Sequence, residues 1–201
     1  DDVGTLHGLY RIFRYPNFCF SFIDRRLQDI IRWFESFRAG QVQFQTENRS
    51  RIDPGIGHIV AVSDPGILEL IYSMIDRLKI EVDAFFSVDA KETGPAIVRW
   101  PVGARQEPHA DKEFHAGPEK GRANDFPWYD LAGLFYFNDD YEGGELYFPQ
   151  HGIEFQPVAG AAYFFPGDMN YTHGVRPVKS GNRFTSPFFW TIKKHTGEKQ
   201  P

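Results

Sequence analysis

Large aromatic side chains in this chain come in short alternating runs, GLFYFND, AAYFFPGD and SPFFWTI, each bounded by glycine, proline, asparagine or aspartate. Neighbouring side chains on a strand point to opposite faces, so such runs lay rings along a sheet instead of along a helical stripe. Twenty Phe in 201 residues, with aromatics at 16%, is more apolar bulk than an open two-sided sheet can hide. The rings need a closed interior. Turn signals divide the second half into seven expected strands, 96–101, 131–138, 145–148, 152–155, 161–165, 172–178 and 183–192. Short strands at this spacing predict a mainly β fold of the sandwich or jelly-roll kind.

The first half reads differently. Residues 6–22 mix apolar and aromatic side chains around Pro16, which fits a strand or extended arm. From Asp24, the apolar residues Leu27, Ile30, Ile31, Phe34 and Phe37 recur at helical spacing, with Gly40 as the stop. The polar stretch 46–57 reads as a loop, with Arg49 and Arg51 able to flank a pocket mouth, before a short apolar run over 58–62. Ser63-Asp64-Pro65 then caps a second helix, expected through about Leu78. Its stripe of Ile67, Leu70, Ile71, Met74, Ile75 and Leu78 suits bracing a sheet. The expected organisation is a single domain over 1–201, with helical support over about 24–80 and a jelly-roll core over about 96–192.

Charge and cysteine content narrow the partners. A net charge of −5 without a long basic run gives no footprint for nucleic acid. Cys19 stands alone, so no internal disulfide can form, and a cytoplasmic location is expected. No apolar run reaches membrane-spanning length, so no membrane partner is expected, and nothing in the sequence bears on oligomeric state.

Two stretches carry the chemistry, WPVGARQEPHAD at 100–111 and HGVRPVKSGNR at 173–183. His109 and Asp111 are two apart, so on extended chain an imidazole and a carboxylate project to one side. With His173 from the aromatic region downstream, they make two His and one carboxylate. That set fills one face of an octahedron, leaves the opposite face open, and is the arrangement expected of non-haem Fe(II) oxygenases. A polar loop after a strand is the bland reading of His109 and Asp111. His115 and His151 lie in polar loops and read as solvated or peripheral. Arg183 leads into the apolar run FTSPFFWTI, where a buried charge requires an anionic partner, and a guanidinium can hold a carboxylate by two parallel hydrogen bonds. Thr185 shares its strand face by alternation and adds a hydroxyl.

Further features keep company with these residues: Gly143-Gly144-Glu145-Leu146 between the two ligand segments, Pro166-Gly167-Asp168 before His173, and Arg183 after it. In that order they resemble the Fe(II)/2-oxoglutarate-dependent dioxygenases, and among these the prolyl 4-hydroxylase-like branch, over roughly residues 96–192. The resemblance implies a double-stranded β-helix with helices outside. It implies Fe(II) held by His109, Asp111 and His173, 2-oxoglutarate chelating through its 1-carboxylate and 2-keto oxygens, and O2 at the last position. It assigns the distal carboxylate of 2-oxoglutarate to Arg183, a place where collagen-type prolyl hydroxylases use Lys. It also suggests a cosubstrate hydrogen bond from Tyr136, otherwise a core aromatic, and a pocket wall at Leu146. Trp100 stands near the place of a family tyrosine, and packing is its expected role.

The implied reaction is hydroxylation of an unactivated C–H with release of succinate and CO2. Halogenation is disfavoured, because halogenating relatives have a small residue where Asp111 stands. The implied substrates are peptidyl proline or a small amino-acid-like molecule, and the segment 112–130 reads as a lid or as a solvated insertion. The competing reading is a non-oxygenase jelly-roll protein that binds a metal or another ligand, which has no need of Arg183 beside the metal.

Overall fold

The computed structural model describes residues 10–15, 19–24, 58–60, 65–86, 89–92, 97–156 and 158–192. Of the helix expected from Asp24 to Gly40, all but Asp24, which ends a strand, lies outside them, as does the loop over 46–57. In chain order the elements begin with β1 (Tyr10–Tyr15), β2 (Cys19–Asp24), β3 (His58–Val60), α1 (Pro65–Phe86) and β4 (Ala90–Glu92). They continue with β5 (Ile97–Trp100), β6 (Gln106–His109), β7 (Leu131–Tyr136), β8 (Glu142–Gly143) and β9 (Leu146–Phe148). The last are β10 (Ile153–Phe155), β11 (Ala161–Pro166), a 3-10 turn at Met169–Tyr171, β12 (His173–Val175), β13 (Val178–Ser180) and β14 (Arg183–Ile192).

The strands divide between two main antiparallel sheets. The larger runs β1-β2-β11-β7-β14-β5-β3, with β4 also on β14, and the smaller runs β10-β9-β12-β6. From β5 onward the chain alternates between them: β5, β7, β11 and β14 belong to the larger sheet, and β6, β9, β10 and β12 to the smaller. That winding is the double-stranded β-helix. Its core lies between the sheets, where Ala132, Tyr136, Ala161, Tyr163 and Phe165 of the larger meet Leu146, Phe148 and Phe155 of the smaller. A second cluster joins Val98 and Trp100 to Val175 and Val178 at the other end.

β14 shows how the sequence produces this. Phe184, Ser186, Phe188 and Trp190 are all buried on one face, whereas Arg183, Thr185, Pro187 and Phe189 alternate onto the face that lines the interior cavity. Proline is poorly tolerated where a strand is paired on both sides, because it has no N–H to give. Pro187 escapes this, since β5 pairs Arg183–Thr185 and β4 pairs Trp190–Ile192, leaving a gap between them.

Several expected boundaries move. Residues 6–22 contain a hairpin of two strands, β1 and β2, with β2 running on through Asp24 and docking on β11. The helix α1 passes its expected end near Leu78 and reaches Phe86. Its apolar stripe continues to the buried Val82, and Lys79 pairs with Asp83 one turn on, so the polar residues there are its outer face and not a stop. The strand expected over 172–178 breaks at Arg176 and Pro177 into β12 and β13, which belong to different sheets. β6 was hidden in sequence because its polar side chains and Pro108 leave it half exposed. Among the described residues, no helix is long and apolar enough to cross a membrane.

Gly133 on β7 stands opposite Phe188, and a Cβ there would lie 2.1 Å from the Phe188 ring. Gly133→Ala is therefore expected to destabilise the protein by about 1–3 kcal/mol through overpacking. Urea denaturation checks this, and Phe188→Leu in the same chain should restore part of the loss; an unchanged midpoint for Gly133→Ala would rule out tight packing at this point.

Candidate metal and anion site

The register of one strand pair builds the centre. β12 runs antiparallel to β6 with His173 directly opposite His109, which brings the two imidazole centroids to 4.5 Å. The Nδ1 atoms lie 3.1 Å from the backbone carbonyls of Glu107 and Tyr171, respectively. A carbonyl only accepts, so each ring carries its hydrogen on Nδ1 and turns an Nε2 lone pair inward. The Gln106 amide reaches the His109 Nε2 at 3.3 Å and occupies the lone pair that a metal ion would take.

Asp111 is placed by the chain around it. The backbone N–H groups of Asp111 and Lys112 donate to the Gly167 carbonyl at 2.9 and 3.1 Å, and Asn124 Nδ2 donates to the Asp111 carbonyl at 2.9 Å. Gly167 accounts for the Pro-Gly-Asp motif, since a Cβ there would come within 2.2 Å of the Tyr129 carbonyl oxygen. Asp168 then accepts from Asn170 N–H at 2.8 Å and caps the 3-10 turn that delivers His173. The carboxylate oxygens of Asp111 lie 3.7 Å from His109 Nε2 and 3.9 Å from His173 Nε2.

These three residues offer ligand atoms within 4.8 Å of one another. Asp111 Oδ2 is buried without a hydrogen-bond partner, as suits a carboxylate oxygen that would face a cation. Two neutral imidazoles and a carboxylate suit Fe(II), and the residues present fit that ion. Burial dominates their titration. It lowers His109 to about 4, helped by the neighbouring His173, and likewise lowers His173 to about 4. Burial raises Asp111 to about 6, with His109 opposing.

Arg183 and Thr185 line the same cavity of about 810 Å³ as the three ligands. Arg183 is 0% exposed, and its Nε and Nη1 make no well-formed hydrogen bond, with the buried Tyr141 hydroxyl as their near neighbour. Its Nη2 donates to the Tyr136 hydroxyl at 3.1 Å, and its guanidinium carbon sits 4.9 Å from the Trp100 ring centroid and 5.0 Å from that of Tyr136. Gly144 makes room for it, since its φ of +68° suits glycine and a Cβ would press on Arg183 Cδ at 2.9 Å. A buried cation with unused donors calls for a carboxylate, so this end of the cavity fits 2-oxoglutarate.

The remaining residues singled out in the sequence fall as follows. Leu146 is fully buried in the core between the sheets and is not part of the cavity wall, a correction to its expected place that follows from its register on β9 facing Phe155. His115 is exposed yet lines the cavity, its ring 6.2 Å from His109, so it belongs nearer the centre than a solvated loop residue. His151 is peripheral, with Nε2 2.7 Å from the Asn170 carbonyl. Trp100 does more than pack, because its indole N–H donates to Thr185 Oγ1 at 3.0 Å. Gln106 was not singled out at all; its contact depends on a strand pairing that no local motif announces.

The segment after Asp111 is ordered and tied down. Glu113 and Ala123 form a bridge, and Lys112 pairs with Asp130 at 3.1 Å. Phe126 stacks on Tyr129 at 5.0 Å, and Tyr129 stacks on Phe189 of β14 at 3.8 Å. Phe114, Phe126 and Trp128 stay 39%, 47% and 47% exposed at the rim.

Residues 96–191 match the family described as the 2OG-Fe(II) oxygenase superfamily. The chain is 21% identical over 150 residues to prolyl 3-hydroxylase 1 from Gallus gallus, an alignment covering 65% of this chain and 21% of that protein. The chain thus spans about a fifth of the length of that curated relative. It is similar in structure to a truncated viral collagen prolyl hydroxylase from Paramecium Bursaria Chlorella virus-1, with a TM-score of 0.58, 16% identity, and 95% of this chain and 100% of that one covered. It is also similar to a Pseudomonas putida prolyl-4-hydroxylase, with a TM-score of 0.57, 18% identity, and 83% and 88% covered.

Metal binding at this centre requires Asp111 ionised and both imidazoles neutral. The imidazoles, lowered to about 4, are neutral throughout the range in which Asp111, raised to about 6, loses its proton. Affinity for Fe(II), or for Mn(II) as its redox-stable stand-in, should therefore rise as pH increases from 5 to 7 and level off above that. Calorimetric titration in non-chelating buffers checks this; a flat profile across that interval would show that Asp111 is not the group being deprotonated.

Proposed function

We infer that this chain, whose residues 96–191 match the 2OG-Fe(II) oxygenase superfamily, is an Fe(II)- and 2-oxoglutarate-dependent hydroxylase of prolyl residues in polypeptides. The observation that carries the reading is Arg183, a fully buried cation with two nitrogens that make no well-formed hydrogen bond, in the cavity that holds His109, Asp111 and His173. A jelly-roll protein that only bound a metal would have no use for that charge.

When bound, Fe(II) with 2-oxoglutarate supplies O2 activation, decarboxylation to succinate and CO2, and delivery of hydroxyl to an unactivated C–H. The chain's own residues make this selective. His109, Asp111 and His173 would hold the ion through three ligands and would leave room beside it for cosubstrate and O2. The carboxylate of Asp111 fills the place that a halide would need, which favours hydroxylation. Arg183 takes the distal carboxylate and thereby sets the depth to which 2-oxoglutarate enters. The stacked rings of Phe126, Tyr129 and Phe189 form one wall of the cavity.

A polypeptide substrate is favoured over a free amino acid by the rim. Half-exposed Phe126, at the edge of the cavity, meets Trp128 edge to face at 6.1 Å, and a small molecule bound at the metal would leave the outer parts of both rings in water. Exposed apolar groups gathered beside a cavity mark a surface that receives a partner. Prolyl hydroxylases among the similar proteins support the same substrate class. A cytoplasmic site of action is proposed from the unpaired Cys19.

Anaerobic titration of the Fe(II) protein with 2-oxoglutarate, followed by its visible metal-to-ligand charge-transfer band, tests the reaction class. Arg183→Ala should weaken cosubstrate binding by about 100-fold, the loss of two charge-assisted hydrogen bonds, while Fe(II) affinity is kept. No band in the wild-type protein despite bound iron would sink the assignment. For the substrate, Trp128→Ala should raise KM for a proline-containing peptide severalfold and leave peptide-free 2-oxoglutarate turnover unchanged. An unaltered KM removes the rim from peptide binding.

A further inference from the structure

Trp100 sits opposite Arg183 in the pairing of β5 with β14, and Thr185 is the next residue on the same face of β14. A diagonal neighbour across two strands is within reach of a side chain as long as tryptophan. The indole uses that reach in two ways, with its face toward the Arg183 guanidinium at 4.9 Å and its N–H on Thr185 Oγ1 at 3.0 Å. Indole can only donate, so Thr185 accepts from it, and the single hydroxyl hydrogen of Thr185 must point elsewhere. Thr185 is 0% exposed and lines the cavity beside Arg183, whose Nε and Nη1 make no well-formed hydrogen bond.

We propose that Trp100 is a positioning residue for the cosubstrate: by donating to Thr185 Oγ1 it turns the Thr185 hydroxyl hydrogen toward the carboxylate that Arg183 holds. The anion site then has a neutral donor from Thr185 beside the charged donors of Arg183, both from one face of β14. Trp100 touches no reacting atom and acts through Thr185. The inference rests on the reading of Arg183 as the seat of the distal carboxylate of 2-oxoglutarate.

Dissociation constants of the anaerobic Fe(II) protein for 2-oxoglutarate, read from the charge-transfer band and by calorimetry, test it. Thr185→Val removes the hydroxyl at constant shape and should weaken binding about tenfold, as expected for one hydrogen bond to a charged group. Thr185→Ser keeps the hydroxyl and should stay near wild type. Trp100→Phe keeps an aromatic face for Arg183 but loses the N–H, and should weaken binding about fivefold. The double variant Trp100→Phe/Thr185→Val should bind no more weakly than Thr185→Val alone, because the indole has no route to the carboxylate once the hydroxyl is gone. Fe(II) affinity and binding of 2-oxopentanoate, in which a methyl group replaces the distal carboxylate, should be unchanged in all of them. An unaltered Trp100→Phe, losses that multiply in the double variant, or equal losses for 2-oxopentanoate would each overturn the proposal. If Trp100→Phe does not fold, the Thr185 pair still decides whether the hydroxyl meets the carboxylate, and equal affinities for Val and Ser overturn it. Failure of wild type to bind 2-oxoglutarate would strike the proposed function instead.

Discussion

Everything at the reactive end of this protein depends on the alignment of two very short strands. β12 offers three residues to β6, and the pairing places His173 across from His109. A slip of one residue along such a pair turns each side chain to the opposite face, which would send one imidazole into solvent. Two paired positions, His173 with His109 and Val175 with Gln106, with an irregularity between them, cannot specify register alone. The alignment is held from outside the pair, by the capped 3-10 turn before His173, by β9 on the far side of β12, and by the rings of Phe165 and Phe148, whose centroids lie 4.5 and 5.7 Å from the imidazole. Packed aromatics around the centre are thus part of its geometry, and their low polarity is what pushes the histidines toward the neutral form and Asp111 toward the protonated one.

The other end of the cavity follows a different logic. Metal ligands tolerate burial because they can be neutral, whereas arginine stays charged. Arg183 is accommodated by spreading its charge over what surrounds it: a phenol oxygen at 3.1 Å and two ring faces at about 5 Å. These contacts soften the desolvation of the guanidinium without satisfying all of its donors, and the unfilled remainder is an affinity for anions. One strand therefore carries both halves of a design, an apolar outer face that anchors β14 in the larger sheet and an inner face that ends in a charge.

How much of this could be read from the sequence depends on whether the signal was local. Runs such as AAYFFPGD and SPFFWTI announce strands because alternation is a property of neighbouring residues, and β7, β11 and β14 lie close to where the pattern places them. The site residues His109, Asp111, His173 and Arg183 were legible as a set with an order. What stayed hidden is pairwise and long-range. β6 looks like a polar loop because its partner supplies the pairing and its residues are polar or half exposed. Trp100 looked like packing because its hydrogen bond is to a residue 85 positions away. Leu146 looked like a pocket wall because a motif indicates nearness and not direction, and the pleat of β9 turns it into the core. The end of α1 at Phe86 is not marked locally, because its apolar stripe thins to Val82 while the backbone stays helical.

The segment that carries the aromatic rim begins at the residue after a metal ligand, and it is fastened at both ends to the structure around the centre. Asp111 and Lys112 share the Gly167 carbonyl, Asn124 returns to the Asp111 carbonyl, and Tyr129 is stacked on β14. Asn124 also accepts from Phe126 N–H at 2.7 Å, so a single amide side chain holds the start of the aromatic rim and the backbone of the residue that bears the ligand carboxylate. Rim and centre are in that sense built from one piece of chain.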